Sequence, residues 1–290
     1  MRQIKKYELL KRYSRVCCKD AGKIWIFVIR TGMIITDQTG HNIELTGIPK
    51  RIISIVPSQS ELLWDLGLQN QLVGITKFCI HPNEMYRSVE RVGGTKKLDL
   101  EKIRRLKPDL IIGNKEENEQ SQVEELRKEF PVWMSDIYDL SDAYEMISTL
   151  TVITKKEKEG EVIIKNIQKK FSELDLTKFK GKKAAYFIWY SPYMAAATNT
   201  FINHVLGKLG MTNAFSYLSR YPEITAAQIK SADPELILLS SEPFPFKEKH
   251  VEELQKICPK AEILLVDGEM FSWYGSRLQY APAYFESIDI

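Results

Sequence analysis

The sequence predicts an α/β protein with two similar lobes of parallel sheet joined by one long helix. One segment occurs twice at a constant offset: residues 98–112, LDLEKIRRLKPDLII, match residues 224–238, ITAAQIKSADPELIL. Each copy is typical of a capped helix, a proline stop and a buried strand. Two such copies about a domain apart in a chain of 290 residues indicate two related lobes.

Alternating strands and helices are the second observation behind this fold class. Apolar, β-branched runs predict strands at residues 51–56, 72–77, 109–113, 132–135, 184–190, 236–240 and 263–266. Helical patterns lie between them at residues 60–66, 100–106, 121–130, 201–209, 226–232 and 247–257. Because helices between strands act as crossovers, this order predicts parallel sheets.

One helical segment breaks the alternation. From Ser141 to about Leu174 the pattern stays helical, without proline. A helix of that length is too long for one crossover, so residues 141–175 are predicted to join an N-terminal lobe, 33–140, to a C-terminal lobe, 176–290. Small ligands usually bind in clefts at domain interfaces, and we expect the site there.

Charge sets the first 32 residues apart. They hold nine Lys/Arg and two Asp/Glu, whereas the rest of the chain has 32 basic and 36 acidic residues. We interpret 1–32 as a basic leader or an upstream extension ahead of Met33; a degenerate export or anchor segment is the alternative. The mildly acidic body gives no indication of nucleic-acid binding.

Signatures of catalysis are missing from the sequence. It contains no GxGxxG after a strand, no GxxxxGK[ST], no GxSxG and no HExxH. Its four histidines fall in separate predicted elements, and its four cysteines lack zinc-type spacing. We therefore predict a binding protein with no catalytic residues, no protein metal site and no cofactor.

Aromatic residues follow the predicted strands. Tyr190 and Tyr193 come after one strand of the second lobe, and Trp273 and Tyr274 after its last strand, all among Gly, Ser and Pro. In open α/β sheets ligands sit beyond the carboxyl ends of strands, where aromatic side chains offer flat apolar area with a polar edge. These four residues are predicted ligand contacts, while Trp189 suits loop packing equally well.

Several segments in order resemble the substrate-binding proteins of ABC importers, in the helical-backbone class that serves vitamin B12, ferric siderophores and haem. They are RIISIVPSQSELL (51–63), LGL (66–68), VGIT (73–76), VGG (92–94) and KPDLII (107–112). The resemblance covers about residues 33–290. It implies the class III periplasmic-binding-protein fold, two Rossmann-like lobes joined by one helix. It also implies an extracytoplasmic, monomeric protein that serves an ABC permease dimer and its ATPase.

Within that family the chain is most similar to the cobalamin binders. The resemblance implies ligand contacts at seven positions: Phe78, Thr95, Asn114, Tyr190, Tyr221, Glu269 and Trp273. Thr95 and Asn114 replace tryptophans of the B12 binders, and Trp273 replaces an arginine. The expected ligand is therefore a cobalamin or an iron chelate, meaning a siderophore or haem.

The same resemblance implies an acidic docking residue on each lobe, which pairs with arginines of the permease. Glu61 matches the first position. The second falls at Ala227, and Glu223 is expected to take its place. No signal peptide is evident, so a second hypothesis remains: an intracellular, cytoplasmic protein that binds or senses a corrinoid or tetrapyrrole and is not coupled to transport.

Overall fold

The computed structural model describes residues 14–16, 26–29 and 32–290, with side chains from residue 32 onward. These residues form two compact units. The first holds the described residues up to Asp136 together with Ser141–Lys165, and the second holds Ile137–Leu140 and Asn166–Ile290. Apart from two short strands, the leader predicted over 1–32 lies outside the described residues, and the predicted lobe boundaries stay a prediction.

Within the described part of the chain, no helix combines the length and apolar character needed to cross a membrane.

The first unit opens with an antiparallel sheet that we did not predict. Its strands, in spatial as well as chain order, are β1 (Ser14–Val16), β2 (Ile26–Ile29), β3 (Gly32–Thr36) and β4 (Asn42–Leu45). Burial alternates along β3 and β4, so that Ile35, Ile43 and Leu45 face the core while their neighbours are more exposed. This period of two is typical of a sheet with one buried face.

One buried carboxylate closes the β3–β4 hairpin. Asp37 Oδ1 accepts from the backbone amides of Thr39 (2.9 Å) and His41 (2.8 Å). Its Oδ2 accepts from Arg127 Nη2 at 2.9 Å and from the amide of Met134 at 3.3 Å. Thr39 and His41 belong to the hairpin, whereas Arg127 and Met134 lie about 90 residues or more later in the chain. Asp37 therefore connects the hairpin to the rest of the first unit.

A five-stranded sheet, entirely parallel, forms the centre of the first unit. Its strands are β5 (Ile52–Ser54), β6 (Leu72–Ile75), β7 (Glu90–Arg91), β8 (Leu110–Asn114) and β9 (Val132–Ser135), in the order β7-β6-β5-β8-β9. The helices between them are α1 (Pro57–Asp65), α2 (Asn83–Ser88), α3 (Leu100–Leu106) and α4 (Gln120–Arg127). All five carboxyl ends therefore meet at one edge, and the parallel sheet predicted for this half is confirmed.

The connecting helix is not continuous, and this part of the prediction is wrong. The structure has α5 (Leu140–Thr154) and α6 (Glu157–Glu173), separated at Lys155, whose φ is +59°. Thr151 and Thr154 bond to carbonyls of their own helix at 2.8 and 2.7 Å. Such bonds and the β-branched run before the break weaken a helix. The division between the two units falls inside α6, after Lys165.

The second unit contains a six-stranded mixed sheet. Its strands are β10 (Lys183–Trp189), β11 (Tyr193–Ala195), β12 (Thr212–Asn213), β13 (Glu223–Ile224), β14 (Leu236–Ser240) and β15 (Glu262–Val266). The order is β13-β11-β10-β14-β15, with β12 also pairing β10. Two pairs are antiparallel, β10 with β11 and β11 with β13, and the other pairs are parallel. The three strands predicted in this half, β10, β14 and β15, pair in parallel as expected. The antiparallel β11 was not predicted; a tight turn returns the chain beside β10 without a helical crossover.

The second unit also contains five α-helices that follow residues 166–173 in the chain. They are α7 (Phe201–Lys208), α8 (Ala226–Ala232), α9 (Glu248–Ile257), α10 (Gly268–Ser272) and α11 (Ala281–Ser287), with a 3-10 helix at Ser276–Gln279. The core between α8, α9 and the sheet is built from buried residues such as Phe187, Phe215 and Leu239. This packing fixes the loops at the carboxyl ends of β10, β14 and β15.

The repeated segment forms the same structure in both units. The side chain of Asp99 caps α3, and that of Thr225 caps α8, each by accepting from the backbone amide three residues on. Both helices end in a left-handed residue just before the proline, Lys107 at φ +49° and Asp233 at φ +42°. A central strand, β8 or β14, follows each time, which confirms the two related α/β units.

We predict that Asp37→Ala lowers the free energy of unfolding by about 3 kcal/mol, because it leaves Arg127 without its buried partner and several hydrogen-bond donors without an acceptor. Urea unfolding followed by circular dichroism measures the change. Glu44→Ala, an exposed position on the same hairpin, is the matched control and should change stability by less than about 0.5 kcal/mol. Equal effects of the two variants would contradict the anchoring role of Asp37.

Candidate functional site

Three predicted ligand contacts lie in neighbouring loops at the carboxyl edge of the parallel sheet in the first unit. Phe78 follows β6, Thr95 follows β7, and Asn114 ends β8. Phe78 is 49% exposed, and Gly94 lies against its ring, since a Cβ at position 94 would be 3.1 Å from the ring carbon Cε2. The Lys77 ammonium lies 5.0 Å from the centre of the same ring. The edge therefore leaves part of one aromatic ring exposed to solvent.

Asn114 and Asn118 hold this edge together. The Asn118 side chain accepts from the Asn114 amide at 2.8 Å and donates to the carbonyls of Ile55 (3.0 Å) and Thr95 (3.2 Å). The Asn114 side chain, 2% exposed, donates to Ser135 Oγ at 2.9 Å and accepts from two backbone amides of the following turn. Its ligand contact stays a prediction, although these bonds already use its amide.

A small polar cluster lies beneath the Phe78 loop. Buried Cys79 is within 3.2 Å of Ser60 Oγ and 3.1 Å of Thr76 Oγ1. Burial raises the pKa of the Cys79 thiol to about 11, against the lowering effect of these two hydroxyls. The cluster fixes the loop that carries Phe78 and leaves the thiol protonated at neutral pH.

An aromatic group stands at the turn between β10 and β11 in the second unit. Trp189 is 40% exposed and meets Phe244 edge-on, with ring centres 5.7 Å apart. Tyr190 packs between Phe244 (5.6 Å) and Tyr193 (5.4 Å). Phe244 comes from the loop after β14, so the aromatic side chains of two strand ends form one continuous surface.

A second group of predicted contacts surrounds α10. Trp273 is only 6% exposed, and its Nε1 donates to Glu242 Oε1 at 2.8 Å. The Arg277 guanidinium lies 4.7 Å from the centre of the Trp273 ring and pairs with Glu269 at 2.8 Å. Tyr274, 5% exposed, packs inside the unit at the last strand's loop. The ligand role of Glu269, Trp273 and Tyr274 stays a prediction. Their burial shows that they also pack against this loop.

Burial of Glu242 raises its pKa, and the neighbouring carboxylates of Glu269 and Asp267 act in the same direction. Hydrogen bonds from Trp273 and Ser272 oppose the rise. The loop thus holds a carboxyl group whose charged form is disfavoured, next to the paired Glu269 and Arg277.

Tyr221 lies away from these two groups along the chain, just before edge strand β13. It is half-buried, and the Arg220 guanidinium lies 5.8 Å from its ring centre. The same guanidinium lies 5.4 Å from the ring of Tyr138. The structure thus places Tyr221 in a small stack with an arginine, and its ligand contact stays a prediction.

The predicted docking carboxylates differ in exposure. Glu61 lies within α1 and is 7% exposed, whereas Glu223 begins edge strand β13 and is exposed. Ala227 is exposed in the first turn of α8. Only Glu223 of these positions presents a carboxylate at the surface, and both docking roles stay predictions.

Sequence reasoning missed four residues that shape these edges: Asn118, Glu242, Phe244 and Arg277. The segment SSEPFPF at 240–246 alternates proline and aromatic residues directly after β14, which is the same signal that drew attention to Tyr190 and Trp273. Asn118 carried no comparable signal, because its three partners come from three separate loops.

Two α/β units with exposed aromatic residues at the carboxyl edges of their strands are typical of a protein that binds a small molecule. Residues 52–257 match the model of the periplasmic binding protein family. The chain belongs to this family.

Curated relatives match most of the chain in sequence. The vitamin B12-binding protein of Pectobacterium carotovorum is 25% identical over 81% of this chain and 86% of its own length. An uncharacterised ABC-transporter substrate-binding lipoprotein of Bacillus subtilis is 26% identical over 70% of this chain and 68% of its own. The chain is similar to both proteins in sequence.

Solved structures confirm the predicted class III periplasmic-binding-protein fold. The periplasmic vitamin B12-binding protein of Vibrio cholerae matches 82% of this chain and 97% of its own, with a TM-score of 0.68 and 20% identity. A periplasmic haem-binding protein from Pseudomonas aeruginosa matches 83% of this chain and 94% of its own, with a TM-score of 0.70 and 19% identity. At these identities the likeness concerns the fold.

We predict that Trp273→Ala lowers the free energy of unfolding by about 3 kcal/mol, because it removes a buried ring and leaves Glu242 without an indole donor. Thermal and urea unfolding measure the loss. The matched control is Trp189→Ala, whose ring is 40% exposed and whose loss should cost less than about 1 kcal/mol. A Trp273→Ala variant as stable as the wild type would show that the ring is not part of the packing.

The raised pKa of Glu242 predicts the sign of a pH dependence of the stability. Its folded-state pKa is raised above the ordinary value of 4.5, so the folded protein keeps a proton that the unfolded chain gives up. The stabilisation is complete below about pH 4.5 and is lost as the pH rises through the folded-state pKa.

We therefore predict that Glu242→Gln becomes more stable relative to the wild type as the pH rises from that range toward neutrality. Urea unfolding at a series of pH values measures the difference, with the exposed Glu252→Gln as control. A difference in stability between the wild type and Glu242→Gln that does not vary with pH would contradict the raised pKa.

Proposed function

We propose that this chain is the solute-binding component of an ABC importer and that its cargo is a cobalamin or an iron chelate such as a siderophore or haem. The metal in this proposal belongs to the cargo, and no resident cofactor is expected. Binding and delivery, without chemical change of the ligand, would be its activity.

The exposed aromatic side chains at the carboxyl edges carry the proposal. Phe78 in one unit and Trp189 in the other are 49% and 40% exposed, although large apolar rings are normally buried in a protein of this size. A ring left at the surface beside Gly94 or Phe244 offers a flat apolar face to a large, partly conjugated ligand. Relatives named for binding vitamin B12 and haem support this class of ligand.

The same relatives support a location outside the cytoplasm and an ABC permease with its ATPase as partner. We propose Glu223 as the contact that meets a basic group on the permease, since its carboxylate is exposed whereas Glu61 is 7% exposed. A monomer would suffice for this role.

Calorimetric titration of the full chain with cyanocobalamin, haemin and ferric desferrioxamine tests the proposed ligand class. We predict sub-micromolar binding of one of them. Phe78→Ala and Trp189→Ala should each weaken that binding at least tenfold, which corresponds to about 1.4 kcal/mol, by removing a stacking face. Tyr217→Ala is the matched control, because Tyr217 is 65% exposed and lies outside the proposed contacts.

No binding of any of the three ligands at 100-fold higher concentrations would overturn the ligand class. Binding that is equally strong in all variants would leave the ligand class in place and move the contact away from these two rings. Loss of binding in Tyr217→Ala as well would point to general instability, which thermal unfolding of the same samples detects.

A further inference from the structure

The last strand of the second sheet has a free outer side. β15 pairs only with β14, in parallel. At the two ends of β15, the amide of Glu262 donates to a backbone group beside β14, and the carbonyl of Val266 accepts from another, each at 2.9 Å. Alternate residues of a strand bond to the same side. The N–H and C=O groups of Ile263 and Leu265 therefore point away from the sheet.

The residues that flank this outer side are already bonded within the unit. Before the strand, the amide of Ala261 donates to the carbonyl of Cys258 at 3.2 Å, and its own carbonyl accepts from the side chain of Gln255 at 3.1 Å. After the strand, the amide of Asp267 donates to the hydroxyl of Tyr284 at 2.6 Å. Only the middle of the edge is left open to a partner.

That middle part combines open backbone groups with apolar side chains. In the part of the chain that the structure describes, the N–H and C=O groups of Ile263 and Leu265 have no hydrogen-bond partner. Leu265 is 40% exposed, and Ile263 and Leu264 are only partly buried. Natural sheets usually protect an edge with charges, proline or a covering segment. β15 carries a charge only at its first residue, so its centre is unprotected.

The corresponding strand of the first unit is covered by its own chain. β9 follows the central strand β8 and pairs with it in parallel, as β15 does with β14. On its outer side, the Met134 amide donates to Asp37 at 3.3 Å, and the Met134 carbonyl accepts from the amide of Gln38 at 3.1 Å. The Asp136 amide donates to the side chain of Gln38 at 3.2 Å. Among the described residues, no strand pairs with the outer side of β15.

We propose that β15 pairs with β15 of a second copy of this chain, in antiparallel orientation, about a two-fold axis at Leu264. In an antiparallel pair, opposite residues of the hydrogen-bonded type exchange both of their bonds. Ile263 of each copy then lies opposite Leu265 of the other, and the backbone hydrogen bonds use every open group. A surface that pairs with itself in this way forms a closed dimer.

The open groups select this register over its neighbours. Moving the axis by one residue in either direction would place Ala261 or Asp267 opposite an open residue, and the amides of both are already bonded. With the axis at Leu264, the side chain of Glu262 lies opposite Val266, and Leu264 lies opposite its own copy. Like charges directly opposite each other destabilise a strand pair, and this register avoids them.

Sedimentation equilibrium of the full chain tests the dimer. The association should be weak, because β15 has five residues and the strip is much smaller than a standard interface. We expect a dissociation constant on the order of 100 µM, which measurements from about 1 µM to about 1 mM cover. A chain that is monomeric when dilute agrees with this value. The dimer does not depend on the cargo proposed above.

Leu265→Lys tests whether the open edge forms the contact. A lysine on an edge strand opposes pairing with another edge, so the dissociation constant should rise at least tenfold while the far-ultraviolet circular dichroism stays unchanged. Val162→Lys is the matched control, because it replaces an apolar residue that is 58% exposed on helix α6. This control should dimerise as the wild type does.

A cysteine cross-link tests the register. At the proposed axis, the two copies of position 264 form a pair that is not hydrogen-bonded, with Cα atoms about 4.5 Å apart, which a disulfide can span. The two copies of position 262 are about 13 Å apart along the strands. Mild oxidation should therefore link Leu264→Cys into a covalent dimer but leave Glu262→Cys unlinked. The wild type, which has four cysteines, gives the background on a non-reducing gel.

A wild type that stays monomeric over the whole concentration range would overturn the proposal. A Leu265→Lys variant that dimerises as strongly as the wild type would do the same, as would equal cross-linking at positions 262 and 264. If Leu265→Lys does not fold, the two cysteine variants decide between the outcomes.

Discussion

In a parallel sheet the loops that follow the strands all lie at one edge. The backbone N–H and C=O groups of those loops need hydrogen-bond partners outside the sheet. In the first unit one side-chain amide meets part of this requirement, since Asn118 bonds to backbone groups of Ile55, Thr95 and Asn114 at the ends of β5, β7 and β8. The exposed ring of Phe78 can stand at the surface because the loops beneath it are fixed. In the second unit Glu242 has the comparable position, holding Trp273 and Ser272 from a loop 30 residues later.

The two edges are built differently although the units repeat one segment. The first edge is held by neutral amides, whose bonds change little with conditions. The second edge combines a carboxyl group with raised pKa, an ion pair and a stacked guanidinium. Electrostatic interactions in such a partly buried group are strong and mutually dependent. The second edge therefore holds the group, Glu242, through which we expect pH to change stability.

Local patterns predicted much of the fold, because they are decided by residues close in sequence. Caps at Asp99 and Thr225, with a proline stop after each helix, mark the repeated helix and strand unambiguously. The break at Lys155 escaped prediction, since every residue around it is compatible with a helix and only the combined weakness of the threonine-rich run ends it. Strand β11 escaped because it has only three residues.

The sequence predicted the candidate site only at the level of strand-end loops. Aromatic residues after strands identified Tyr190 and Trp273 as candidates, and the family resemblance added Phe78, yet the exposed fraction runs from 49% for Phe78 to 6% for Trp273. Glu242, 31 residues earlier in the chain, and Arg277, four residues later, both contact Trp273. A sequence pattern records the strand end but not the neighbours that cover a ring there.

The buried thiol beneath the Phe78 loop has a consequence for oxidative chemistry. Thiol–disulfide exchange proceeds through the thiolate, and a pKa of about 11 leaves Cys79 with very little of it at neutral pH. Burial of Cys258 raises the pKa of its thiol as well. Both described cysteines are free and buried. A chain with such thiols can keep them reduced in an oxidising compartment through slow kinetics alone, without a reductant to protect them.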